Sequence, residues 1–330
     1  MLRVACVTLR AVTTAWIPEG WDEGVIALGG HFLQSSRWAR VQERLGNRVV
    51  VGASRDWCWL GIVRRAGPFR YLYLPFGPSL RSAAALPGAL ASARQRAHRL
   101  GCAFVRFEPG AVDPTDIAAA GARRVKSRQY EHTLVLRIDV DEEALRRGLN
   151  SGHRSRIKSA DKRGLRVVRS NDPARMPDFV RLLRQVEQRN DFFSYENPYF
   201  DAIAQELLAS GDASLYFTTA GDVDAAAALV FDFGPTRYYA FGATAGESRK
   251  LMPAPPLVWQ AIIDARRDGR QRFDFWGAAP PGANPDHPWS GITDFKAGFG
   301  AEREAYAGTW ELTVRPISAR LFGLARAARR

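Results

Sequence analysis

The chain has 330 residues, 46% of them apolar, enough to fill one to three packed cores, and two domains are the default for this length. Its 47 Arg and Lys against 34 Asp and Glu leave a net charge of +13, which points to polyanionic partners: nucleic acid, phosphorylated substrates or an anionic membrane face. The longest apolar run, 225–231, is too short to cross a bilayer, and Arg10 interrupts the apolar start, making residues 1–16 a poor signal peptide.

A cytoplasmic protein is therefore expected. Cys6, Cys58 and Cys102 stand singly in apolar surroundings, with no CxxC spacing, and read as small core residues.

In chain order, 32–46 reads as a helix closed by Gly46. Short β-branched and aromatic strands follow over 48–54, 57–65 and 70–77. A helix over 86–101 has Pro87 near its start and Gly101 at its end, and Pro109 stops a strand over 102–109. A helical stretch runs to Gly121, and 132–139 is again a strand.

A second unit then opens. Residues 141–164 read as two basic helical pieces broken near 150–152, and 165–170 as a strand. Phe179, Leu182, Leu183 and Val186 form the stripe of an amphipathic helix over 177–190, and another helix covers 197–210. Three strands (214–220, 224–233, 237–244), a helix (255–269) and a strand (272–277) follow. A Pro/Gly-rich loop, 278–289, leads to "DFKAGFG" at 294–300, a closing strand over 306–314, and a short basic helix through Pro316. Both halves run through helices, a three-strand meander, a helix and a strand, so the expected fold is α+β with two duplicated units.

Charge is uneven along this plan. Between Arg146 and Arg169 lie nine Arg and Lys against one acid, Asp161. A solvated basic helix usually interleaves acids, so this stretch is a candidate anion-binding face. Only five of the basic residues are lysines, and one is Lys296, between Phe295 and a small-residue run. An ammonium is a compact point charge suited to one developing negative charge, whereas the other reading is a surface lysine beside a glycine turn. The five histidines (31, 98, 132, 153 and 287) form no HxxxH or HxH pair, and no metal site is expected. GxSxG, Walker and GxGxxG motifs are absent, and no loop of the Arg/Gln-x-x-Gly-x-Gly/Ala type that holds coenzyme A pyrophosphate in acetyltransferases of the GNAT type is found, since the one string of that form, 320–325, falls in the closing basic helix.

Several stretches fall into one known order: "HFLQSSRW", "YLYLPFGPSL", "FVRFEP", "HRSRIKSADKRGLRV", "VEQRNDFF", "YYAFGAT", "FDFWGA" and "DFKAGFG…YAGTWEL". Over roughly residues 25–320 this set resembles the Fem family (FemABX), the aminoacyltransferases that build the interpeptide bridge of bacterial peptidoglycan. The resemblance implies two GNAT-like domains in tandem, the first formed by 1–140 with a returning segment 308–330, the second by 141–307. It implies transfer of an amino acid from aminoacyl-tRNA to a stem-peptide amine on a UDP-linked or lipid-linked muropeptide, with no cofactor, by a monomer. An anionic inner-membrane surface is a further partner class.

The resemblance also assigns roles. Lys296, with Phe295, is placed at the tetrahedral oxyanion or the tRNA terminus, where an ammonium stabilises charge developed in ester aminolysis. Arg37, beside Trp38, and Arg189 are placed at a substrate diphosphate. Tyr239 is placed in the site, with Tyr238 on the other face of its strand, and Glu108 as a base for the attacking amine. Phe193 stands where some members carry tyrosine. The basic stretch is too short for the coiled-coil arm of some members, so Arg154, Arg156, Lys158 and Lys162 become the tRNA-binding candidates. Two other readings stay open: an acyltransferase on the same scaffold using another activated donor, and a non-enzymatic protein binding RNA or a membrane surface.

Overall fold

The computed structural model of the chain describes residues 17–191 and 193–327. The signal-peptide reading of 1–16 and the placement of Cys6 lie outside the described residues. Helix α1 (Trp21–Ala27) opens the structure, followed by a 3₁₀ turn and α2 (Ser36–Arg44). Ser35 starts α2, its Oγ accepting from the Trp38 N–H at 3.0 Å, so the expected single helix over 32–46 is divided at this cap. Then come β1 (Arg48–Ala53), β2 (Trp57–Ala66), β3 (Phe69–Leu74), the short β4 (Ser79–Leu80), α3 (Leu86–Arg99), β5 (Phe104–Phe107), α4 (Pro114–Ala119), β6 (Arg123–Arg124) and β7 (His132–Arg137).

The basic stretch forms α5 (Glu142–Gly148) and α6 (Ser151–Lys158). It breaks where expected because Asn150 caps α6, its side chain accepting from the His153 N–H at 2.7 Å. Next are β8 (Leu165–Ser170), α7 (Met176–Asn190), α8 (Asn197–Ile203), β9 (Ala213–Ala220), β10 (Val223–Phe233), β11 (Thr236–Thr244), α9 (Ala254–Arg267) and β12 (Arg272–Gly277). The chain ends in α10 (Ser290–Ala297), β13 (Glu302–Ala305), β14 (Trp310–Thr313) and α11 (Pro316–Ala327). The longest helix among the described residues, α7, has 15 residues, and no coiled-coil arm leaves the second unit.

Two sheets organise these elements, with orders β1-β2-β3-β5-β14-β6 and β13-β7-β12-β11-β10-β9-β8. They share one plan. An antiparallel meander ends in a strand, a helix crosses over, and the next strand returns parallel: β3 to β5 in the first sheet, β11 to β12 in the second. Each sheet is completed from elsewhere in the chain. β7, from the first half, pairs antiparallel with β12, and β14, from the chain's last part, pairs antiparallel with β5. The architecture is α+β, two GNAT-like units in tandem with a segment returning to the first. The strand expected over 306–314 is shorter than its apolar run, because 302–305 and 310–313 serve different sheets.

Burial ties the units together. Phe32, Trp38 and Leu60 of the first half share one core with Phe179, Phe200, Phe217 and Phe231 of the second. The other face of the second sheet packs on α9 through Val258, Ile262 and Phe273, and α3 covers the first sheet through Leu86, Leu90 and Val105. Cys58 and Cys102 are both buried, in these cores.

Candidate active site

Where two parallel strands part company, a sheet opens a notch. β11 and β12 pair from Thr236/Arg272 to Tyr238/Asp274 and then diverge. The β12–β7 register also slips between Asp274 and Gly277. Within that slip Trp276 takes φ +63°, a conformation unfavourable for a bulky side chain, so its surroundings must hold it there. They do: its N–H donates to Asp274 Oδ1 at 2.7 Å, and its carbonyl lies 2.8 Å from the Thr133 hydroxyl. That hydroxyl also stands 2.5 Å from Asp274 Oδ1, so its single proton serves one acceptor at a time.

The diverging strands leave a cavity of about 390 Å³, walled by Tyr239 and Phe241 of β11, Trp276 and Gly277 of β12, and Tyr130. α10 closes it, and Lys296 in the last turn of α10 lies on its lining. The reading of Lys296 as a surface lysine beside a glycine turn is overturned: it is helical and only 6% exposed. Its Nζ donates to the Gly277 carbonyl at 2.5 Å. Burial draws its pKa down to about 8, and the nearby Asp274 charge opposes that shift. Asp274 is itself pushed up to about 6 by burial, against its hydrogen bonds from Thr133 and Trp276. At neutral pH the lysine remains mostly an ammonium, with two further N–H donors.

The basic stretch buttresses this lysine. The Asn150 N–H donates to the Gly298 carbonyl at 2.9 Å, and His153 Nε2 donates to the Phe295 carbonyl at 2.9 Å. The Phe295 ring packs on the core behind α10 rather than lining the cavity. Tyr239 does line it, and burial pushes its phenol far above the usual range, keeping it neutral. A Cβ at position 242 would stand 2.0 Å from the Tyr239 hydroxyl, so glycine there leaves room for the ring. Tyr238 faces the other way, onto a larger cavity of about 550 Å³ bordered by His31, Asp274 and Tyr306.

The remaining expected site residues are scattered. Glu108 is buried in the first sheet's notch. It accepts from the Tyr73 hydroxyl (2.8 Å), the Thr309 hydroxyl (2.7 Å), and the N–H groups of Gln129 (3.2 Å) and Phe76 (3.4 Å). It does not line the lysine cavity; the cavity-lining Gln129 links the two, its N–H donating to Glu108 and its side-chain amide to the Tyr73 hydroxyl at 3.1 Å. Trp38 is core, packed between Phe32 and Tyr199. Arg37 pairs with Asp212 at 3.0 Å. Arg189 donates to the Thr244 carbonyl at 3.3 Å. Those partners mark opposite ends of the second sheet: Asp212 precedes Ala213, which pairs with Phe231, whereas Thr244 pairs with Ala226. Five residues of strand span roughly 17 Å, so the two arginines are not brought to one diphosphate.

Arg154, Lys158 and Lys162 are exposed and Arg156 is half-buried. Among the described residues none of the four pairs with a carboxylate. Arg154 instead donates to the Leu149 carbonyl at 2.7 Å, capping α5. The residues missed from sequence are Asp274, Thr133 and Trp276. The acid flanked by Phe273 and Phe275 was the available signal for the first, since a carboxylate inside an apolar strand needs a partner.

The chain is similar to several known proteins. Residues 146–296 match the family model for an acetyltransferase (GNAT) domain. The lipid II:glycine glycyltransferase of Staphylococcus haemolyticus (strain JCSC1435) is 21% identical, over 86% of this chain and 88% of that one. Among solved structures, the crystal structure of FemX superposes with a TM-score of 0.80 at 18% identity, covering 91% of this chain and 97% of that chain. L-PGS from Bacillus licheniformis gives a TM-score of 0.61 at 13% identity, covering 93% and 96%.

Proposed function

We propose that this chain, a member of the Fem family of aminoacyltransferases, passes an aminoacyl group from aminoacyl-tRNA to the amine of a peptidoglycan stem peptide. The S. haemolyticus relative named for lipid II supports a lipid-linked muropeptide over a UDP-linked one as acceptor. The observation that carries the reading is Lys296: a buried ammonium at the floor of an open strand notch, held by one carbonyl with donors to spare. In the reaction the neutral acceptor amine attacks the ester carbonyl, a C–N bond forms, and the carbonyl oxygen becomes an oxyanion. Lys296 stabilises that charge in a low-dielectric site. The C–O bond to ribose then breaks, and the proton lost by the amine ends on the departing hydroxyl. The donor is already activated, so no serine or cysteine nucleophile is required. Tyr239 orients the acyl group from the cavity wall.

The polyanionic donor suits the net charge, and Arg154, Arg156, Lys158 and Lys162, which pair with no carboxylate among the described residues, dock its backbone. As folding units we assign 1–140 with 308–330, and 141–307, with β7 the strand that the first lends to the second sheet. No helix among the described residues is long and apolar enough to cross a membrane, and we place the enzyme in the cytoplasm, at the inner membrane face where a lipid-linked acceptor lies. The test is to incubate the protein with each charged tRNA and with lipid-linked or UDP-linked precursors, and to measure the acceptor's mass. Addition of one aminoacyl group to the lipid-linked precursor is expected. No addition from any charged tRNA, with addition from an acyl-CoA donor, would transfer the chain to the other acyltransferase reading.

A further inference from the structure

Helix α11 has two unlike faces. Ser318, Ala319 and Phe322 turn toward the body, and the Phe322 ring packs 5.0 Å from Phe104 and 5.8 Å from Phe69. At i, i+4 and i+7 on the opposite side stand Ile317, Leu321 and Leu324, 77%, 51% and 69% exposed. Scattered exposed leucines are ordinary, but three aliphatic side chains in one helical stripe, left exposed by the described residues, are a surface built to be covered.

The surrounding charge says by what. After Glu311 the sequence carries no acid and five arginines, at 315, 320, 326, 329 and 330. Arg320 is exposed beside the stripe. Arg315 donates to the His98 carbonyl at 3.1 Å, which sets the root of α11 beside the arginine-rich end of α3, where Arg94, Arg96 and Arg99 are exposed. Arg70, Arg315 and Arg48 also lie close enough to Cys102 to oppose the burial that pushes its thiol up to about 11. An apolar stripe flanked by arginines and free of carboxylates matches a helix lying in the headgroup boundary of an anionic bilayer, apolar side down and guanidinium groups on the lipid phosphates. A protein partner of mixed charge would not need so one-signed a rim.

We propose that α11 and the arginines around it form the contact of this protein with an anionic membrane surface. The contact lies apart from the lysine cavity and from the basic helices α5 and α6, and it stands whether or not the transfer reaction is the one proposed above. Peripheral docking would bring the enzyme to a membrane-anchored substrate without a spanning segment.

The test uses the full chain and vesicles of phosphatidylglycerol and phosphatidylethanolamine in equal parts, with phosphatidylcholine vesicles as the neutral control. Co-sedimentation with the anionic vesicles and not the neutral ones is expected. The combined variant Ile317→Ser, Leu321→Ser and Leu324→Ser, whose changes are all exposed, should lose at least tenfold in partitioning while melting like the parent. Arg320→Gln should weaken it less, and Arg154→Gln with Arg156→Gln and Lys158→Gln should leave it unchanged. The proposal is overturned if the parent ignores anionic vesicles, or if the serine variant binds them equally. It is equally overturned if the parent is a dimer in solution that the serine changes dissociate, because the stripe then belongs to a second copy of the chain.

Discussion

The two sheets contain the same device and use it differently. In each, a meander strand and the strand after a crossover helix run parallel for three paired positions and then part. In the first sheet the gap beyond Leu74 and Phe107 is filled from within. The Glu108 N–H donates to the Gly77 carbonyl at 3.0 Å, and its carboxylate takes the four donors described above. In the second sheet the gap beyond Tyr238 and Asp274 stays open, because Asp274 spends Oδ1 on the Trp276 turn and Lys296 enters from α10. A charge satisfied by four protein donors has nothing left to offer a substrate. An ammonium with one partner does. Two similarly built sheets thus hold two similar openings, and under the proposed mechanism the one whose charge is left unsaturated is expected to react.

Lys296→Met should have the largest effect. Loss of one donor to a developing oxyanion typically costs about 10²–10³-fold in rate, and that loss is expected in kcat. The fold should survive with a loss of about 1–3 kcal/mol, because methionine leaves the Gly277 carbonyl without its donor. Thermal melting beside steady-state transfer checks both halves; a variant that transfers normally would reverse the assignment.

The first notch predicts the opposite pattern. Glu108→Ala strands two hydroxyls and two N–H groups in the interior and should lower the unfolding free energy by about 2–4 kcal/mol, as read by urea denaturation. Turnover per folded molecule should change little. Full stability with abolished turnover would return Glu108 to the role of base.

Asp274 makes the stability of the second notch depend on pH. Its folded pKa, about 6, lies above the ordinary 3.8, so between these values the folded chain binds more protons than the unfolded one. Its stabilising contribution is therefore complete below pH 3.8 and is lost as pH rises through about 6, by on the order of 3 kcal/mol. Asp274→Asn, which keeps an acceptor for the Trp276 N–H, should flatten the stability profile between pH 4 and about 7. An unchanged profile would mean that another group titrates there.

The smallest expected effect concerns the outer face of the second unit. Neutralising Arg154, Arg156 and Lys158 should weaken every charged tRNA alike, and reduce the log–log salt slope by about 0.7–0.9 for each phosphate that is no longer neutralised. A slope equal to the parent's would make these residues a solvated helix and the cap of α5.

Local signals made much of this legible in sequence. Pro87 and Gly101 bracket α3, the break at Asn150 is a cap, and Lys296 stood out because lysines are scarce. The notches were not legible, because they depend on β7 and β14 reaching sheets far from their neighbours in sequence. Pairing across such distances leaves no periodic trace. Trp276 was hidden for a related reason: its positive φ is imposed by Thr133, contributed from another part of the chain. Trp38 and Glu108 show the converse, since motif position marked both and only burial shows what occupies them.

The most direct test sets the two notches against each other in one experiment. Single-turnover transfer is measured for Lys296→Met and Glu108→Gln, with aminoacyl-tRNA and lipid-linked precursor both saturating. Lys296→Met is expected to fall by about 10²–10³-fold while Glu108→Gln stays within a few-fold of the parent. A slow Glu108→Gln beside a fast Lys296→Met would place the chemistry in the first notch and overturn the role given to Lys296.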